Sequence, residues 1–240
     1  MRPPMRRTAA VAAVGAALLA AAVAVAAPAA AADRTPGGQA VTAPPVTAPS
    51  TVGTPTAVGT PTAGVPLVGT LLEAAELPEG EGAFGQWRTE ATYPGEEQAL
   101  FACQQNSLAS TGAVEQQQRA FRGLDARAAQ AALQYPDAAS AARAEREIAG
   151  WLTGCAEALD ARGGTLVVEY RTTSTADGAT VHHVGLADRA GGARVRAEDV
   201  LAVRDGDRIS LVATSTTGDA FLNTEQETAL VKAVRAKLAG

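Results

Sequence analysis

The two histidines of this 240-residue chain are adjacent, at His182 and His183. A metal site or a proton-transfer site would need both side chains to converge with other groups. The run around them is typical of a β-strand, in which neighbouring side chains point to opposite faces of a sheet. The pair therefore cannot hold one ion together, and we predict a structural or surface role for both residues and no metal site.

Other residues that do chemistry form no recognisable set. Serines are plentiful, but no G-x-S-x-G motif surrounds any of them. Glu198, Asp199, Asp205 and Asp207 lie near predicted turns, where carboxylates are commonly solvated, and a glycosidase-like pair would need raised pKa values and matched faces. No Walker lysine follows a glycine-rich loop. We therefore expect no catalytic site and no cofactor, with a secreted hydrolase of unrecognised serine or carboxylate site as the alternative.

The two cysteines, Cys103 and Cys155, predict one disulfide if the chain is exported. The bridge would close a loop of roughly 50 residues and contribute up to about 4 kcal/mol in the chain-entropy description. The alternative is a pair of free, reactive thiols, although no C-x-x-C motif and no neighbouring histidine supports it.

The two tryptophans invite different predictions. Trp151 falls on the apolar stripe of a predicted helix and is expected in the core. Trp87 follows a glycine-rich stretch, where a large aromatic side chain either packs in the core or lines a ligand groove. Trp87 is thus the one residue that the sequence offers as a possible groove contact.

Residues 1–32 have the three parts of a secretory signal peptide. Arg2, Arg6 and Arg7 form the basic region, Ala9 to Ala27 is apolar, and Ala30–Ala32 offers a cleavage site. The alternative is a retained membrane anchor, since the apolar run nearly reaches the length of a bilayer span. We predict cleavage and a secreted, extracellular or cell-wall-associated protein, which touches the membrane only through the transient signal.

Residues 33–66 are predicted to form a disordered linker. They hold seven of the thirteen prolines and repeat VGTPTA at Val52–Ala57 and Val58–Ala63. Such a segment cannot bury enough apolar surface to fold. The net charge is already −5 and becomes more negative when the signal arginines are removed. An acidic protein is a poor match to nucleic acid, so we expect no nucleic-acid partner.

The remaining residues, 67–240, suit one α+β domain. Three turn signals separate four strand-like runs near the C-terminus, which predicts an antiparallel meander. The predicted strands are Thr165–Thr175, Thr180–Ala187, Ala193–Arg204 and Asp207–Thr217. A final helix after a capping box at Thr224 covers part of this sheet.

Between residues 67 and 134 the patterns are weaker and predict one to three further strands. Thr70 opens an S/T-x-x-E capping box for a short helix through Leu77, and Glu96–Ser110 has roughly helical spacing. The alanine content of Ala126–Tyr135 favours a helix. The alternation of apolar residues in this segment and its position before Pro136 favour a strand, and we predict a strand. The predicted strands are Trp87–Tyr93, Val114–Phe121 and Ala126–Tyr135.

The second main helix is predicted over Tyr135–Cys155, with Asp137 as its N-cap. Its apolar residues lie on one face at helical spacing, so the cysteine shares the buried stripe with Trp151. The stripe comprises Ala141, Ala144, Ile148, Trp151, Leu152 and Cys155. The helix should be clamped through Cys155 to the segment around Cys103.

Four short motifs give the chain a resemblance. They are L-L-x-x-x-x-L-P at Leu71–Pro78, C-Q-Q-x-S-L at Cys103–Leu108, Y-P-D-A-A-S-A at Tyr135–Ala141 and W-x-x-x-C at Trp151–Cys155. With the strands and closing helix that follow, they resemble the extracellular sensor domain of the mycobacterial PknH-type serine/threonine kinases and related secreted or lipid-anchored actinobacterial proteins.

This resemblance implies an α+β domain with helices packed on a curved antiparallel sheet, a cleft, and a role in sensing an extracellular ligand. The sequence departs from the kinases in two ways. No kinase or transmembrane segment follows the signal, and the chain has two cysteines where the kinase sensor has two disulfides. Only the bridge of Cys103 and Cys155 is therefore carried over.

The sequence thus favours a secreted, non-enzymatic, sensor-like or ligand-binding domain of the actinobacterial cell envelope. Its partner would be an extracellular small molecule or an envelope component of unknown identity. The alternatives are the hydrolase and a structural envelope protein that joins a partner through its surface. A groove lined by apolar side chains would favour the binding domain, and a cleft with converging acidic side chains would favour the hydrolase. A broad flat apolar patch would favour the structural protein.

Overall fold

The computed structural model describes residues 66–79, 83–191 and 194–240. The predicted signal peptide and all of the predicted linker except Pro66 lie outside the described residues. Short 3₁₀ helices cover Leu67–Thr70, Ala74–Glu76 and Leu108–Thr111. The α-helices are α1 (Ala138–Thr153), α2 (Cys155–Arg162) and α3 (Thr224–Ala239). The strands are β1 (Arg88–Pro94), β2 (Glu115–Arg122), β3 (Ala126–Gln134), β4 (Leu166–Ala176), β5 (Ala179–Asp188), β6 (Arg194–Asp205) and β7 (Arg208–Thr217).

These strands form one seven-stranded antiparallel sheet in the order β1-β2-β3-β7-β6-β5-β4. The predicted α+β class and the four-stranded C-terminal meander are therefore confirmed. Three strands precede α1, which is the upper end of the predicted range. The chain builds one meander, crosses through α1 and α2 to the far edge, and returns as the second meander until β7 pairs with β3.

The alanine-rich segment that was ambiguous in sequence is the strand β3. Its residues pair with β2 on one side and with β7 on the other, from Ala126↔Thr216 to Gln134↔Arg208. Pairing on both edges outweighs the helix propensity of alanine, since propensity is a weak local preference. The small side chains also let helix and loop backbones come close to both faces of the sheet.

Helices cover both faces of the sheet, and each face has its own core. On one face α1 packs Ile148, Trp151 and Leu152 against Val184, Val200 and Leu211 of the sheet. On the other face α3 packs its apolar side chains against Val181, Leu201, Val203 and Val212. The α3 residues are Leu230, Val231, Val234 and Leu238. Alternate residues of β5, β6 and β7 thus serve opposite cores.

Helix α1 confirms the predicted cap and buried stripe but not the predicted end. The Asp137 side chain accepts a hydrogen bond from the Ser140 N–H, and the six stripe residues are all buried. The helix ends at Thr153, and Gly154 has non-helical backbone angles before α2 begins at Cys155. Helix α2 then buries Cys155 and Leu159 in the α1-face core.

Helix α3 is capped one residue earlier than predicted. Asn223, rather than Thr224, accepts hydrogen bonds from the backbone of Glu225 and Gln226. The Gln226 side chain returns a contact to the Asn223 N–H, which completes a capping box.

The helix predicted from Thr70 through Leu77 is wrong: two 3₁₀ turns lie there, with extended backbone between them. The Thr70 hydroxyl donates to the Leu67 carbonyl, and the Leu72 N–H donates to the buried Gln130 side chain at 2.6 Å. Extended backbone at this point places Leu71 and Leu72 in two different apolar clusters.

The helical spacing of Glu96–Ser110 is also misleading, because only its end forms a 3₁₀ helix. Side chains take the backbone donors that a helix would use: Gln104 accepts from Leu100, and Glu96 accepts from Leu108. The carboxylate of Glu198 in β6 accepts from the Ala102 N–H. Such local competition is how polar side chains displace helix hydrogen bonds. Gly112 ends the segment in the left-handed conformation.

The predicted disulfide between Cys103 and Cys155 is confirmed. It joins the β1–β2 connection to the start of α2 across a sequence separation of 52 residues, and both cysteines are fully buried. The Arg162 guanidinium reinforces the same junction by donating to the Ala102 and Gln104 carbonyls. Within the described ranges, no helix is both long and apolar enough to cross a bilayer.

Replacing Cys155 by serine should lower the free energy of unfolding by up to about 4 kcal/mol under oxidising conditions, because the cross-link no longer limits the unfolded chain. Chemical denaturation of wild type, Cys155→Ser and Cys103→Ser measures this. The two variants should behave alike, and reductant should weaken only the wild type. Equal wild-type stability with and without reductant would contradict a stabilising bridge.

Candidate functional site

A groove opens between α1 and the ends of β5 and β6. Its volume is about 450 Å³. Ile148, Ala149 and Leu152 of α1 form one wall, and Ala179, Ala202 and Val203 of the sheet add further apolar surface. Charged and polar groups lie around this surface, namely Glu145, Arg146, Thr180, His182, Arg204 and Arg235. An apolar lining with a few polar groups is the usual character of a small-molecule site.

Two ion pairs hold the charged side of this groove. Arg204 donates to Glu145 at 2.9 Å, which ties β6 to α1, and Arg235 contacts Asp177 at 3.3 Å, which ties α3 to the β4–β5 turn. Arg146 is exposed and makes no hydrogen bond or ion pair with the described residues. It is therefore the cation most available to a ligand that enters the groove.

His182 lies on the groove side of β5. Burial lowers the pKa of His182, and the nearby charges of His183 and Arg171 lower it further. The imidazole is therefore neutral at pH 7, so it can donate one hydrogen bond and accept another. The two histidines lie on opposite faces, as the strand alternation predicts, since His183 bonds to residues on the α3 side.

His183 is the centre of a buried polar network on the α3 face. Its Nδ1 lies 2.7 Å from Asp199 Oδ1, and its Nε2 lies 3.0 Å from Ser174 Oγ and 3.3 Å from Glu227 Oε1. The Ser174 hydroxyl also contacts the second Glu227 oxygen at 2.6 Å. Asp199 is fixed in turn by the Thr214 hydroxyl and the Leu222 N–H.

The sequence reasoning missed this network. Glu198 and Asp199 were expected among solvated turn acids, but they are 1% and 3% exposed, which corrects that expectation. The signal lay in strand register. His183 pairs directly with Thr172 and with Asp199, and Asp199 pairs with Thr214, so these side chains share one face.

Ser174, His183 and Asp199 have the contact order of a catalytic triad, but Glu227 changes what they can do. The hydrogen bond from Asp199 raises the pKa of His183, its burial acts against this, and the charges of Asp199 and Glu227 raise it further. The imidazole is thus favoured as a cation between two carboxylates. A protonated imidazole cannot accept the serine proton, and the serine hydroxyl is already donated to Glu227.

A metal ion does not fit the same residues. Asp199 and Glu227 approach opposite nitrogens of the ring, so their oxygens do not converge on one point. No group of three or more metal-binding side chains with suitable geometry occurs in the described ranges.

Trp87 lies in the core on the α3 face and is 8% exposed. Its indole N–H donates to the Pro78 carbonyl at 2.8 Å, and its ring contacts Phe84. These contacts give it a packing role, which was the other reading of its sequence context. Its role in a ligand groove stays a prediction.

No protein-family model matches the sequence, and no curated protein matches it. Among solved structures the chain is similar to the crystal structure of the extracellular domain of PknH from Mycobacterium tuberculosis. The superposition covers 64% of this chain and 86% of that chain, with a TM-score of 0.41 and 13% sequence identity. The match is to the same domain that the motifs of the sequence resemble.

Substituting His183 by glutamine should weaken the fold most at low pH. The folded-state pKa of His183 is raised, so its stabilisation is full below the unfolded pKa of about 6.5 and is lost as the pH rises through the folded value. We expect a loss of about 2 kcal/mol at pH 6, the scale of a hydrogen bond to a charged group, and a smaller loss at pH 9.

Denaturation of wild type and His183→Gln between pH 5.5 and 9 measures this dependence. His182→Gln is the matched control, because the lowered pKa of His182 makes its contribution change in the opposite sense: protonation costs stability as the pH falls. A His183→Gln effect of equal size at every pH would mean that folding does not shift the pKa of His183, which would contradict the raised value.

Proposed function

We propose that the domain is a non-enzymatic, sensor-like ligand-binding module of the actinobacterial cell envelope or extracellular space, and that it binds a small molecule in the groove between α1 and the sheet. The apolar lining of this groove is the observation that carries the proposal. The predicted signal peptide, linker and disulfide support export.

The groove also suggests the chemistry of the ligand. The half-buried Ala149 and Ala202 would contact an apolar body, while Arg146 and neutral His182 would orient a polar or acidic group at one end. Arg204 and Arg235 also border the groove, but their charges are already paired with Glu145 and Asp177.

The non-enzymatic part of the proposal rests on the ionisation of the His183 network. Its imidazole lies between Asp199 and Glu227, which favour the cation, and a general base must instead be neutral. The network then acts as a buried polar tie between β4, β6 and α3.

Serine hydrolysis is the second candidate, because Ser174, His183 and Asp199 lie at triad distances. A fluorophosphonate probe decides between the two, since it labels only an activated serine. We expect no labelling of the wild type above the level of Ser174→Ala. Labelling of Ser174 that disappears in Ser174→Ala would make the protein a hydrolase and overturn the proposal.

Filling the groove should abolish ligand retention without unfolding the protein. Ala149 is half-buried on the groove wall, so phenylalanine at this position would occupy the site with little change to the core. Ala139→Phe is the control on the same helix; it is exposed and lies about 15 Å away along the axis.

Native mass spectrometry of the full protein, before and after incubation with actinobacterial envelope extract, measures retention. Wild type and Ala139→Phe should keep the same small molecule, and Ala149→Phe should lose it. Equal retention by all three proteins would place the ligand elsewhere. Retention of nothing by the wild type would remove the support for a binding role.

A further inference from the structure

Arginines lie directly opposite one another at the end of the sheet farthest from the groove. Arg88 in β1 pairs with Arg122 in β2, and Arg122 pairs with Arg127 in β3. Directly opposed residues of antiparallel strands share a face and lie close together, so like charges at such positions repel. Two successive like-charge pairs are therefore a local cost of this arrangement, in a protein whose net charge is −5.

The row continues into the second meander. Arg127 pairs with Ser215 in β7, and Ser215 pairs with the buried Glu198 in β6; Arg196, two residues before Glu198, lies opposite Thr217. Arg122, Arg127, Arg196, Ser215 and Thr217 line one cavity of about 420 Å³. The cavity thus collects three guanidinium groups and two hydroxyl groups from four different strands. Such a set supplies hydrogen-bond donors on several sides of an enclosed anion.

The described carboxylates around this cavity compensate the arginines only in part. Arg122 pairs with Glu90, and Arg196 pairs with the buried Glu198. Asp125 also lines the cavity, but its carboxylate makes no ion pair with the described arginines. The Arg127 guanidinium makes no hydrogen bond or ion pair with the described residues, and the Arg196 Nε is buried without a partner among them. The hydrogen bond from Arg122 lowers the pKa of Glu90, and the charges of Arg127 and Arg88 add to this effect, which reports a locally positive field.

We propose that this cavity, the arginine row of Arg122, Arg127 and Arg196 with Ser215, is a second ligand site that binds a phosphate ester. A phosphate group offers three or more oxygens and up to two negative charges, which suits three guanidiniums and a hydroxyl better than the two oxygens of a carboxylate. A bound anion would offset the repulsion between Arg122 and Arg127 beyond what Glu90 already offsets at Arg122.

The rim of the cavity adds an apolar contact for the organic part of the ester. Leu124 in the β2–β3 turn is 73% exposed, and Val195 in β6 is 40% exposed, and both line the cavity beside the arginines. The ligand class is therefore a phosphate carrying an apolar group. This site lies at the start of β6 and the groove lies near its end, so the site does not depend on the proposed function.

Isothermal titration of the full protein with inorganic phosphate, glycerol 3-phosphate and hexyl phosphate tests the proposal. Hexanoate is the carboxylate control with the same chain. We expect a dissociation constant on the order of 1 mM or tighter for hexyl phosphate, weaker binding of the two polar phosphates, and no saturable binding of hexanoate. Absence of saturable heat with all three phosphates, or hexanoate binding as tight as hexyl phosphate, would overturn the phosphate assignment.

Variants of Arg127 locate the site. Arg127→Gln should weaken hexyl phosphate about tenfold or more, and Arg127→Lys should weaken it less, because lysine keeps the charge but loses the two-pronged contact. Arg143→Gln is the matched control, since this exposed arginine of α1 contacts only Ser140 among the described residues. Equal affinities of Arg127→Gln and Arg143→Gln would place the phosphate elsewhere on the protein.

A melting experiment separates a binding role from a structural one. In phosphate-free buffer, Arg127→Gln should melt at the same temperature as the wild type or higher, because it relieves the repulsion from Arg122. A structural arginine would give a lower melting temperature. That result, together with unchanged phosphate affinity, would overturn the proposal.

Discussion

The pairing of β3 with β7 is the contact on which the rest of the structure depends. It joins the β1–β3 meander to the β4–β7 meander, which are far apart in sequence, and it lies at the centre of the sheet. Because both edges of each strand are hydrogen-bonded, neither meander leaves an unpaired edge at the junction. The alanines of β3 have small side chains and belong to the cores on both faces of the sheet, where larger side chains from other elements pack against them.

One polar side chain shows how closely the N-terminal segment depends on this junction. Gln130 of β3 is fully buried, accepts the Leu72 N–H, and donates to the Ser210 hydroxyl of β7. It therefore satisfies the backbone of an incoming loop and cross-links the two meanders at the same time. Leaving any polar atom of a buried amide without a hydrogen-bond partner would cost free energy of folding. Gln130 therefore favours the one backbone path of residues 70–72 that supplies its partners.

Local patterns predicted the elements whose own residues decide their structure. Turn pairs such as Asp177-Gly178 and Asp205-Gly206 mark hairpins because their glycines adopt positive φ angles, and the stripe of α1 is visible as a 3.6-residue period. The helical spacing of Glu96–Ser110 does not give a helix, because the side chains of Glu96, Gln104 and Glu198 accept its backbone N–H groups. Glu198 in β6 is 96 positions from Ala102, whose N–H it accepts. No local window contains that information.

The candidate sites were hidden for the same reason, since they arise from register across strands. The two-residue hairpins fix Thr172 opposite His183 and Asp199 opposite Thr214. The contact between His183 and Asp199 depends instead on the longer β5–β6 connection and its bulge. Each side chain is unremarkable in its own strand, and only the assembled sheet makes Asp199 the partner of His183.

Strand register also determines whether a cluster of charged residues brings opposite or like charges together, as the His183 network and the arginine row show. In the His183 network one imidazole lies between the carboxylates of Asp199 and Glu227, so groups of opposite sign are neighbours within the core. Arg122 and Arg127 of the arginine row are directly opposed and carry the same sign, and the Arg127 guanidinium makes no close ion pair with the described carboxylates. The His183 contacts are all made within the fold, whereas the arginine row, although Arg122 and Arg196 have carboxylate partners, would gain further stability from an anion that binds from outside. The pairing of opposite charges thus gives the His183 network a structural role, and the juxtaposition of like charges is what makes the arginine row the proposed anion site.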